Sequence, residues 1–90
     1  MSHLAETRSL VGELHRNYLF DLGYLLREQA LAAKQATQAA KGTVDEAFET
    51  GRLMAYFEVM SLLVSQARSF RLPIEDLHLE GLDPDRDLLR

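Results

Sequence analysis

Four cations, Arg16, Arg27, Lys34 and Lys41, recur at spacings of 11, 7 and 7 residues, so on a helix they form a basic ridge along one edge. Such a ridge could hold an anionic ligand or an acidic partner, although a charge row is most often the solvated side of an amphipathic helix. Glu75-x-x-His78 has the i, i+3 spacing used by carboxylate-bridged metal bundles, but it follows Pro73 and lacks facing carboxylates. His3 and His15 have no partner at ligand spacing, so no metal site is expected. Ser61, Ser65 and Ser69 rise along one side of a helix beside Glu58, with no base to activate them, and read as a small-residue groove. Phosphate-binding glycine loops are absent, and no catalytic residue or cofactor is expected. Asp21 and Glu58 lie within apolar stretches. If buried, each carboxylate needs a counter-ion, for which Arg68, Arg52 and Arg27 are available, or an upward pKa shift.

The elements that position these residues are helical. Apolar residues recur at helical spacing from about Leu4 to Lys41 without a proline, with a main stripe through Leu4, Val11, Leu14, Tyr18, Leu22, Leu25, Ala33, Ala36 and Ala40. Gly42 suits a left-handed stop, with Lys34 and Lys41 near the C-terminal dipole. Thr43 and Glu46 then match a capping box, each side chain serving the other's backbone amide. A second helix is predicted from Val44 to about Arg71, because Leu72 precedes Pro73 and is pushed out of helical conformation. Its seam runs Leu53, Tyr56, Phe57, Met60, Leu63, Val64, Ala67 and Phe70. So short a connection makes the two helices antiparallel neighbours. Residues 72–90 form an acidic, leucine-containing tail, with a turn after Pro73 and a second one capped by Asp83-Pro84.

Apolar residues also lie off these stripes: Phe20, Tyr24 and Leu31 on the first helix, and Phe48, Ala55, Val59 and Leu62 on the second. A two-helix hairpin has one internal interface and cannot cover four stripes. The expected architecture is therefore all-α, a long antiparallel two-helix hairpin plus a short C-terminal segment, dimerising into a four-helix bundle. Phe20, Tyr24, Leu31, Phe48, Val59 and Leu62 are its candidate interface. The competing arrangement is a monomeric three-helix bundle closed by the tail. Isolated Gly12 and Gly23 mark points of close helix approach.

The layout of a first helix of some 40 residues, a Lys-Gly stop and an acidic second-helix start resembles the small helical chorismate mutases over roughly the first 60 residues. That resemblance implies a dicarboxylate held by Arg16, Arg27, Lys41 and Arg52. The family's Arg-to-Arg and Arg-to-Lys spacings are not reproduced here.

Composition sets the outer bounds. Among 90 residues there are 17 Leu and 10 Ala but only five Ile plus Val, which favours helix over sheet. Cysteine is absent, which removes disulfides and thiolate sites and fits a cytoplasmic setting. No apolar run spans a membrane, and the first ten residues lack the pattern of a secretory signal. Net charge is −4, and the excess lies in residues 72–90, which carry six acids and two bases. That balance argues against nucleic-acid binding. The expected function is a small non-enzymatic protein-interaction or regulatory module, partnered with itself and with another protein. The alternative is a helical enzyme or anion-binding module using the basic ridge.

Overall fold

The computed structural model describes residues 2–90, and side chains from Leu10 onward. The readings made for the side chains of His3 and Leu4 lie outside the described side chains. Two long helices, α1 (Ser2–Ala39) and α2 (Glu46–Ser69), pack against each other, followed by a 3-10 turn (Ile74–Leu77) and a short helix, α3 (Pro84–Leu89). No strand occurs among the described residues.

The turn between the long helices is wider than a shared cap would make it. Gly42 takes a left-handed φ of 81°, which its missing Cβ permits. The capping box does not form as expected. The Thr43 hydroxyl donates to the Ala40 carbonyl at 2.6 Å and accepts from the Asp45 amide at 3.2 Å, while the Glu46 carboxylate accepts from the Gly42 amide at 3.0 Å. Thr43 thus secures the end of α1 as well as the entry to α2, and α2 begins at Glu46 rather than Val44. At the other end of α2, Arg71 adopts a positive φ of 56° and the Leu72 amide bonds back to the Ala67 carbonyl at 2.8 Å. That is a Schellman-type stop without glycine, placed just ahead of Pro73.

The register of the hairpin follows from two side-chain bonds. The Tyr56 hydroxyl donates to Gln29 Oε1 at 2.8 Å, and the Thr37 hydroxyl lies 3.0 Å from the Glu49 carbonyl and 2.9 Å from that of Ala33. Residues facing each other across the hairpin therefore have numbers summing to about 85. Ala30 and Ala33 meet Leu53, Met60 and Ala67 in the core, with Tyr56, Phe57, Leu63 and Val64 packed beside them. The second-helix seam read from the sequence is this inner face, except that Phe70 is 72% exposed beyond the end of α2.

The tail completes the core. Leu77, Leu79 and Leu88 are buried in the same cluster, so residues 72–90 fold back on their own hairpin. Asp83 caps α3, its carboxylate accepting from the amides of Asp85 at 3.1 Å and Arg86 at 3.3 Å. The molecule remains a rod of 64 × 20 × 16 Å with a radius of gyration of 16.9 Å. A compact chain of this length would have about 12 Å. The cause is unequal helix length: α1 extends about 57 Å and α2 about 36 Å at 1.5 Å per residue. Every side chain from Leu10 to Asp21 is exposed.

Candidate functional site

At about 100° per residue, the positions of α1 sort into three directions. One, through Leu26, Ala30 and Ala33, faces α2. A second, through Phe20, Gly23, Tyr24, Arg27 and Lys34, faces the tail. The third, through Val11, Leu14, Tyr18 and Leu25, faces nothing. On α2 the tail lies over Ser61, Val64, Ser65 and Arg68, which share a cleft of about 400 Å³ with Leu82, Asp83, Pro84 and Asp85. Phe48, Val59 and Leu62 lie roughly half a turn away from that cleft. The hairpin therefore has a latched face and a bare face.

The latched face is held by directional contacts. The Arg27 guanidinium donates from Nη1 to the carbonyls of His78 at 3.1 Å and Glu80 at 2.9 Å, and Lys34 donates to the Arg90 carbonyl at 3.2 Å. His78, held at a left-handed φ of 57°, stacks on Phe20 at a centroid distance of 4.3 Å and on Tyr24 at 5.0 Å. Its Nε2 lies 3.9 Å from the Glu80 carboxylate, and its buried Nδ1 has no hydrogen-bond partner. Gly23 sits directly beneath the Leu77 carbonyl, and a Cβ there would collide with the Leu77 backbone. The close approach marked by Gly23 is thus of the tail, while Gly12 has open space around it. Asp87 adds local order to α3. Arg86 hydrogen-bonds its carboxylate at 2.8 Å, the Asp83 amide donates to it at 2.9 Å, and positive charge nearby, Arg27 included, helps to lower its pKa to about 2.

Two cations of the predicted ridge are engaged here, and their acceptors belong to the chain's own acidic tail. Arg16 and Lys41 are exposed. Arg52 is paired with Glu49 at 2.9 Å on its own helix. Of the residues implied by the chorismate mutase resemblance, Arg27 and Arg52 are thus engaged with different partners, and Arg16 and Lys41 are exposed. Asp21 and Glu58 are both exposed, and no polar or charged side chain is buried among the described residues, so neither carboxylate requires the counter-ion sought for it. The serine groove at Ser61 and Ser65 receives the tail. Among the described residues no group of three His, Cys, Asp or Glu could hold a metal ion. No helix there is long and apolar enough to cross a membrane.

The six candidate interface residues separate. Phe20, Tyr24 and Leu31 lie on the latched side, the first two still about 40% exposed and Leu31 half-buried, whereas Phe48, Val59 and Leu62 lie on the bare side. What sequence reasoning missed is that the first part of the main α1 stripe, Val11, Leu14, Tyr18 and Leu25, lies on the bare side, while Ala33 and Ala40 of the same stripe are buried. Leu14 and Tyr18 are 67% and 66% exposed because the stripe points away from α2, which also ends level with that part of α1; Leu25, alongside α2, is still 53% exposed. The shorter second apolar run, up to Pro73, is the signal that could have shown it. No protein-family model, curated protein or solved structure matches this chain.

Proposed function

We propose that the chain is a small non-enzymatic protein-interaction module that works as a homodimeric four-helix bundle joined through its bare face. The observation that carries this reading is the concentration of seven large apolar side chains, Val11, Leu14, Tyr18, Leu25, Phe48, Val59 and Leu62, all at least 40% exposed, on the side away from the tail. An apolar stripe running along a helical rod is the kind of surface that marks an association site. Covering the exposed half of each residue stabilises by ~1 kcal/mol, or about 14 kcal/mol over two copies. Association costs roughly 4–15 kcal/mol in lost freedom, so the apolar contribution is of the size needed to offset it. Regulatory or adaptor activity would be exerted by the surfaces left outside the bundle.

Sedimentation velocity over about 1–100 µM tests the reading. The expected result is a shift to twice the 10.2 kDa chain mass as concentration rises. A single 10.2 kDa species throughout would refute the homodimer.

A further inference from the structure

We infer that the two copies meet along an antiparallel α1–α1 seam, with a two-fold axis crossing α1 between Leu22 and Leu25 and both latched tails turned outward. The inference rests on the dimer reading above and adds its register. The line of the bare stripe continues past Leu25 through Gln29, whose side chain reaches Tyr56 of α2, the exposed Ala32 and the half-buried Ala36, all within about 40° of Tyr18 around the helix. Reversed end for end, the stripe falls almost on itself when facing residues have numbers summing to about 47. Val11 then faces the partner's Ala36, Leu14 lies beside the partner's Ala32, Tyr18 faces the partner's Gln29, and Leu22 faces the partner's Leu25.

Side-chain bulk selects this direction. The first half of the stripe is large and the second half small, so antiparallel pairing seats the bulky half of each copy on the small half of the other. Parallel pairing would set Tyr18 on Tyr18 and alanine on alanine, giving overpacking at one end and a void at the other. The second helix supports the same axis. Because facing residues in the hairpin sum to about 85, a two-fold between Leu22 and Leu25 passes level with Leu62. Leu62, 60% exposed on the bare side, then meets its own copy. All neighbouring helices are antiparallel in this arrangement. The seam from Val11 to Ala36 is about 39 Å long. On α1 alone, about 10 Å across with its side chains, that strip measures about 400 Å² per copy, and α2 adds the strip around Val59 and Leu62.

The chain has no cysteine, so single labelling sites can be introduced cleanly. Glu13→Cys and Lys41→Cys, both at exposed positions off the stripe, should give inter-copy spin-label distances of about 30–35 Å and about 50–55 Å. Distances below about 25 Å at both sites would establish parallel pairing and overturn the register. Ala32 is exposed, so Ala32→Trp should leave the helicity of the single copy intact while weakening the dimer at least tenfold by filling the space for Leu14. Adding Leu14→Ala to that variant should restore association. Wild-type dimer affinity in Ala32→Trp would overturn the register while leaving the dimer standing. A wild-type chain that stays monomeric removes both.

Discussion

The two faces of the hairpin carry similar apolar residues and are finished in different ways. On the latched face, Phe20 and Tyr24 are met by a stacked imidazole, Gly23 by a backbone carbonyl, and Arg27 and Lys34 by carbonyls of the tail. Each of these contacts has one geometry and needs one particular neighbour. On the bare face, Val11, Leu14, Tyr18, Leu25 and Leu62 offer shape and apolar area with no directional group. Directional contacts lie on the face that the chain covers with its own tail, and the face left uncovered offers only non-directional apolar surface.

The sharpest way to break this comparison is from the latched side. Leu88→Ala should lower stability by ~3 kcal/mol, since the side chain is fully buried between tail and hairpin, and chemical denaturation will measure it. Glycine substitutions should follow in opposite directions on one helix. Gly23→Ala should destabilise by ~1–3 kcal/mol because the Leu77 carbonyl must move, whereas Gly12→Ala, in open space, should stabilise by up to ~1 kcal/mol. Thermal melts of the pair test this, and equal signs would contradict the close approach at Gly23. Arg27→Ala removes two charge-assisted bonds at a partly exposed site and should cost ~1 kcal/mol, with faster proteolysis confined to residues 78–90. The bare side should respond differently. Leu14→Asp should change single-copy stability by under ~0.5 kcal/mol while abolishing concentration-dependent association in sedimentation.

The smallest effect concerns acid. The pKa of Asp87 is lowered in the folded chain, so its contribution is present above the ordinary carboxylate pKa and is lost as pH falls through about 2. Being near the surface, it should loosen α3 only, seen as faster amide exchange at Leu88 with α1 and α2 unaffected. Protection at Leu88 that stays constant down to pH 2 would remove Asp87 from the latch.

The hairpin was legible because its breaks are local chemistry: a glycine able to take positive φ and a proline that constrains the residue before it. Asp83-Pro84 marked α3 for the same reason. Which side of α1 would be covered was not legible, because Val11, Tyr18 and Leu25 compete with Phe20, Tyr24 and Leu31 for burial and a helical wheel cannot rank them. The latch was hidden for a more general reason. Arg27 and Lys34 bind backbone carbonyls, and a carbonyl acceptor has no residue type. The basic ridge and the acidic tail were each visible, and only the fold brought them together. The separate N-terminal and C-terminal reaches of α1, one bulky and one alanine-rich, were also readable, but their consequence depends on where α2 stops.

The bonds from Arg27 and Lys34 to the tail span 51 to 56 residues of chain, which has a consequence for biosynthesis. The helical hairpin can close on local contacts as soon as α2 has emerged from the ribosome. The three leucines that finish its core are translated afterwards. For that interval a nascent chain shows apolar surface on both sides and can meet other chains through either, so the order of synthesis makes the tail a timer. Only after residues 72–90 have been made and folded back is the bare face the one left uncovered.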